Sequence, residues 1–173
     1  PAGGALVLVA GCGPIGGLVA LLAARVGHEV AVIDRNPQRA ARVALATGGK
    51  VTTLDQAAER GCSYAVDTTG QDQVISGLVA AIRGCGTLAL VGIGRATPVI
   101  DPVKLVEREI TLVGCHAFGP ELAEIAMLLP DLSPALDAFI AEEIPLHAVP
   151  DAYARHLAGQ VDGLKTLILC GQG

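Results

Sequence analysis

The residues best suited to chemistry lie near the amino end, in the run Gly11-Cys12-Gly13-Pro14-Ile15-Gly16. A continuous apolar run, Ala5 to Ala10, precedes it, and from Pro14 to Val26 the apolar residues recur with helical spacing. In a G-x-G-x-x-G so placed, Gly11 allows the tight turn, Gly13 lets the backbone approach a pyrophosphate, and Gly16 lets the helix pack close to the strand. The anion would rest on free N–H groups and the positive end of the helix, beside Pro14 and Ile15. Asp34 follows eighteen positions after Gly16 and closes a second short run, Glu29 to Asp34. A carboxylate there can accept hydrogen bonds from a ribose diol.

The acid also bears on which dinucleotide is taken. The 2′-phosphate of NADP would face Asp34 with like charge, whereas the free 2′-hydroxyl of NAD donates to it, so NAD is expected ahead of NADP. Arg35 is the counter-argument, because a guanidinium beside the acid can bind a phosphate. A flavin protein would carry Glu in place of Asp34 and a later glycine-aspartate motif, and none is found. An S-adenosylmethionine-dependent methyltransferase shares the loop and the ribose acid but would need a catalytic motif where this chain has Asp67-Thr68-Thr69-Gly70. It stays an alternative.

The elements that must position these residues alternate along the chain. Asn36 and Pro37 supply an N-cap and a first-turn proline for a helix to about Ala46, which Gly48 and Gly49 stop. A brief strand at Lys50 to Thr53, an amphipathic turn or helix at Asp55 to Arg60, a strand at Ser63 to Thr68 and a helix at Gln71 to Ile82 follow, then strands at Gly86 to Val91 and Glu109 to Val113. Strands apolar on both faces belong in a parallel sheet covered by helices. Right-handed crossovers make that an α/β, doubly wound, three-layer Rossmann fold. Beyond Gly119 the expectation is helices at Pro120 to Leu129 and Pro134 to Ile140, broken by Pro130, then a helix at Pro150 to Ala158 and a strand at Leu164 to Cys170.

Composition narrows the classes. At 173 residues, 51% hydrophobic and 17% charged, the chain can bury a core and is no disordered tail. A net charge of −5 with scattered basic residues and 2% aromatics argues against a nucleic-acid partner. No charged side chain occurs from Pro1 to Ala24, but Gly11, Gly13, Pro14, Gly16 and Gly17 would break a spanning helix, so no membrane is implied. The five cysteines form no C-x-x-C pair and His28, His116, His147 and His156 are scattered. Mostly buried, reduced thiols in a cytoplasmic protein are expected, with no metal site and no catalytic residue assigned.

Six stretches together resemble the cofactor domain of the medium-chain, zinc-type alcohol-dehydrogenase-like oxidoreductases. They are GCGPIG, AVIDRNPQR (Ala31 to Arg39), AVDTTG (Ala65 to Gly70), GTLALVGIG (Gly86 to Gly94), EREITLVG (Glu107 to Gly114) and the tail from Pro145 to Leu169. The resemblance implies that Arg39 reaches the adenosine ribose, that Thr69 and Gly70 line the adenine side, that Gly92, Ile93 and Gly94 approach the nicotinamide, and that Lys165 pairs with the pyrophosphate. Members of the family carry a further domain with the substrate pocket and, in zinc-dependent members, the metal. That domain is not recognisable here, so the expectation is an NAD(H)-binding domain at 1–140, a tail at 141–173 that returns to an absent catalytic domain, zinc only in that absent domain, and no dehydrogenase activity from the chain alone. A stand-alone nucleotide-binding or regulatory module is the alternative. Relatives join sheets at the edge near Glu109 to Val113, which implies a homodimer.

Four residues carry secondary readings. Cys12, beside a helix start, is read as a small side chain that fits, with a redox gate as the alternative. Asp67 is read as a cap on the loop at Thr68 and Thr69. Tyr153 and His156 share a helix face and are read as packing on the sheet.

Overall fold

The computed structural model describes residues 4–94, 97–116, 121–161 and 163–171. They fall into two compact units, Pro1–Pro120 and Glu121–Gly173.

In the first unit, β1 (Leu6–Ala10), β2 (Glu29–Ile33), β3 (Lys50–Val51), β4 (Cys62–Asp67), β5 (Ile82–Leu90) and β6 (Thr111–Gly114) form one sheet, in the order β3-β2-β1-β4-β5-β6. Every pairing is parallel, so each strand needs a crossover. Helices α1 (Pro14–Arg25) and α2 (Pro37–Thr47) pack on β1 and β2, while α3 (Leu54–Arg60) and α4 (Asp72–Ala81) pack on each other and α4 on β4 and β5. The core on the α3–α4 side joins Leu6, Leu8 and Ala10 of β1 to Ala57, Ile75, Leu78, Ile82 and Leu88. The uncharged amino-terminal run is therefore a fully buried strand, a loop and the helix behind it. The doubly wound α/β fold read from the sequence is the fold observed.

Local chemistry sets the helix boundaries. Asn36 caps α2, its side chain accepting from the N–H groups of Gln38 and Arg39 at 3.0 and 3.1 Å, and Gly48 ends it in the left-handed region at φ 63°. Thr53 and Gln56 form a capping box on α3. Helix α5 (Pro102–Glu107) was not expected, although Asp101 capping Val103 N–H at 3.0 Å and Pro102 in the first turn are its start signals. It also delays the last strand. Ile110 N–H donates to Leu105 O and Glu109 stands at φ 51°, so the helix end uses the backbone expected to begin β6 at Glu109.

In the second unit, α6 (Leu122–Leu136) runs through Pro130 and Pro134, where a break and two helices were expected; Pro120 lies outside the described residues. Each proline removes one donor, yet the ladder resumes, with Asp137 N–H donating to Ser133 O. β7 (Ile140–Pro145), also not expected as a strand, pairs in parallel with β8 (Lys165–Leu169) in a separate two-stranded sheet, with α7 (Val149–Leu157) between them in sequence. No helix among the described residues is long and apolar enough to cross a membrane.

Candidate functional site

The strand order reverses between β1 and β4, and a cleft of about 670 Å³ opens there at the carboxyl ends of β1, β2 and β4. Open α/β sheets bind ligands at such a switch point, and the volume lies within the roughly 300–1,000 Å³ of small-molecule sites. One wall is the glycine loop, with Gly11, Gly13, Pro14, Ile15 and Gly16. The second holds Asp34, Arg35 and Arg39, and the third Thr68, Thr69 and the first turn of α4 from Asp72 to Val74.

The three glycines of the loop differ in what requires them. Gly11 stands at φ 94°, and a Cβ there would strike the Thr68 hydroxyl. A Cβ on Gly16 would strike the Gly11 carbonyl, which keeps α1 against the loop. Gly13 has neither reason. Its backbone, at φ −77° and ψ −171°, suits any residue, and a Cβ would meet nothing within 4 Å among the described residues. It lines the cleft at the start of α1, which no side chain caps.

Asp34 follows β2 and spends both oxygens on the backbone. Oδ2 accepts from Cys12 N–H at 2.6 Å and Oδ1 from Asn36 N–H at 2.7 Å, leaving further lone pairs for a ligand. Arg35 is exposed, whereas Arg39 is half-buried and its Nε is buried without a hydrogen-bond partner among the described residues. Cys12 is fully buried beneath the loop, and burial, followed by the Asp34 carboxylate, pushes its thiol up to about 12. A protonated, inaccessible thiol argues against the redox-gate alternative. Only Cys12 and Cys62 are buried; Cys85, Cys115 and Cys170 are exposed, contrary to the expectation of mostly buried thiols.

Asp67 is the one buried charged side chain among the described residues. It caps the loop that follows, accepting from Thr69 N–H at 3.0 Å, Thr69 Oγ1 at 2.6 Å and Gly70 N–H at 3.0 Å. Gly70 then packs so closely on Gly92 and Gly94 that a Cβ at any of the three would collide with backbone. Ile93 between them is 90% exposed. Two wall elements escaped the sequence reading: the Thr68 hydroxyl, signalled only by a threonine pair at a strand end, and the first turn of α4.

In the second unit, Lys165 is an exposed residue at the head of β8. His156 Nε2 lies 2.7 Å from Thr166 Oγ1 of β8, but Tyr153 is 65% exposed, which corrects its reading as a packing residue. No group of three or more His, Cys, Asp or Glu side chains among the described residues is placed to hold a metal ion. These residues therefore do not fit a zinc site.

A sequence model of the family described as zinc-binding dehydrogenase matches residues 14–131. The chain belongs to this family. L-galactonate-5-dehydrogenase of Escherichia coli K12 is 28% identical over 178 residues, covering 95% of this chain and 52% of that protein. Glutamyl-tRNA reductase of Kineococcus radiotolerans is 33% identical over 158 residues, covering 84% of this chain and 34% of that protein. Among solved structures, an Escherichia coli CFT073 alcohol dehydrogenase complexed with cofactor NADH superposes with a TM-score of 0.85 at 19% identity, over 98% of this chain and 53% of that one. The chain spans about half the length of the curated dehydrogenases it matches. It is thus an oxidoreductase-family domain of the alcohol and polyol dehydrogenase type, and nothing in the family match favours a methyltransferase.

Proposed function

We propose that this zinc-binding dehydrogenase domain binds NAD(H) in the cleft between β1 and β4 and presents it for hydride transfer with an alcohol or polyol. Gly13 carries the proposal. Nothing among the described residues requires glycine there, since its conformation is open to any residue and a Cβ would meet none of their atoms within 4 Å. A pyrophosphate laid against the loop supplies the missing reason, because it would occupy the place of a side chain. Arg39 fits the same reading, as its buried Nε lacks a partner that a ribose oxygen would provide.

When bound, the nicotinamide ring gives or accepts the hydride. The protein's own groups hold the nucleotide. N–H groups at the start of α1 would face the pyrophosphate, Asp34 would accept from the adenosine ribose, and Thr69 and Gly70 would flank the adenine. Gly92, Ile93 and Gly94, just beyond β5, would lie toward the nicotinamide. The Asp34 carboxylate favours the 2′-hydroxyl of NAD over a 2′-phosphate, against the pull of Arg35 and Arg39. Polarisation of the substrate oxygen is assigned to residues outside these 173, so the chain alone should bind without turnover. Titration with NAD(H), NADP(H) and S-adenosylmethionine tests the reading. NAD(H) should bind tightest; tighter NADP(H) would reverse the cofactor assignment, and turnover of an alcohol by this chain would contradict the division of labour.

A further inference from the structure

The Gly11–Cys12 peptide unit is held at both ends. Its N–H donates to Asp34 Oδ2 at 2.6 Å, and its carbonyl oxygen lies 3.2 Å from the Thr68 hydroxyl, which also donates to Ala10 O at 2.9 Å. Because the peptide is planar, two contacts at opposite ends fix its orientation, and with it the direction in which the chain enters Cys12 and Gly13. The same hydroxyl fills the space between the first and last glycines of the loop: a Cβ on Gly11 would strike it, and one on Gly16 would lie 3.0 Å away. Thr68 N–H adds a bond to Ala10 O at 2.9 Å, so β4 holds the end of β1 through both backbone and side chain.

We propose that Thr68 is a positioning residue for dinucleotide binding, its hydroxyl and the Asp34 carboxylate clamping the Gly11–Cys12 peptide so that the loop is pre-set for a pyrophosphate. This rests on the nucleotide reading above. The hydroxyl acts on the loop, so its removal should weaken ligands that carry the pyrophosphate and spare adenosine. A threonine kept only for packing would change the melting temperature and leave affinity unchanged.

The test measures dissociation constants for NADH, ADP-ribose and adenosine, well below the melting temperature, in wild type, Thr68→Val and Thr68→Ser. Loss of one hydrogen bond that orders the loop corresponds to about a tenfold change in affinity. Thr68→Val should lose about that much for NADH and ADP-ribose and less than about twofold for adenosine, while Thr68→Ser, which keeps the hydroxyl, stays close to wild type. Thr68→Val binding NADH as wild type does, or Thr68→Ser losing as much as Thr68→Val, overturns the clamp and leaves the nucleotide reading standing. Wild type binding neither NADH nor ADP-ribose overturns that reading and the clamp with it. Should Thr68→Val fail to fold, Thr68→Ala is read by the same criteria.

Discussion

Gly13 separates ligand demand from fold demand at a single position. Gly13→Val should leave the melting temperature of the unliganded chain within about 2 °C of wild type, since its backbone suits any residue and a Cβ would meet no described atom within 4 Å. It should weaken NADH binding by at least about tenfold, because the new side chain would stand where the pyrophosphate lies. Paired melting and titration experiments check both halves. The buried thiols give a pH dependence with a definite sign. Burial raises Cys12 to about 12 and Cys62 to about 11 from an ordinary 9.0. Above pH 9 the unfolded chain releases these protons while the folded one retains them, so their stabilising contribution, complete below 9, is lost as pH rises toward 11 and 12. Urea midpoints at about pH 8 and about pH 10.5 should fall further in wild type than in a Cys12→Ala, Cys62→Ala variant. At this scale the sequence was legible where a residue type has a single use. The glycine spacing and Asp34 located the loop, but the double duty of Asp34 and the bonds of Thr68 depend on β1, β2 and β4 lying side by side, which no local pattern encodes.

Asn36 links a helix to the site, since the N–H groups it caps include that of Arg39 on the cleft wall. Asn36→Ala should lower stability by about 1 kcal/mol, measured by denaturant unfolding. Elements with paired start and stop signals, such as α2 between Asn36 and Gly48, could be placed closely from sequence. Those governed by tertiary context could not. α5 is six residues long with no buried side chain, so it offers no apolar stripe to read. α6 keeps two prolines because each removes only one rung, a local cost the rest of a fifteen-residue helix absorbs. β7 was invisible for a different reason: its run Ile-Ala-Glu-Glu-Ile-Pro has two adjacent charges at its centre and no alternation, and only the partner β8 makes it a strand.

Among the described residues β6 ends the sheet order, and its Val113 is 42% exposed. Edge strands of this kind can pair with a second copy, and the homodimer that the family resemblance implies would form there. Val113→Lys should then weaken self-association by at least about tenfold in sedimentation equilibrium, and a monomeric wild type at high micromolar concentration would count against the dimer. The fold class was legible throughout, because alternating apolar runs and helical repeats leave few ways to close a parallel sheet. Less was legible beyond residue 121, where α7 and β8 fall close to the expected helix and strand but the expected break at Pro130 is absent and β7 is an added strand. Nucleotide binding in the cleft between β1 and β4 is tested by a fluorescence titration of the 173-residue chain with NADH. Saturable one-to-one binding, displaced by ADP-ribose and by NAD, is the predicted result; no saturation at millimolar NADH, or binding that ADP-ribose fails to displace, would contradict it.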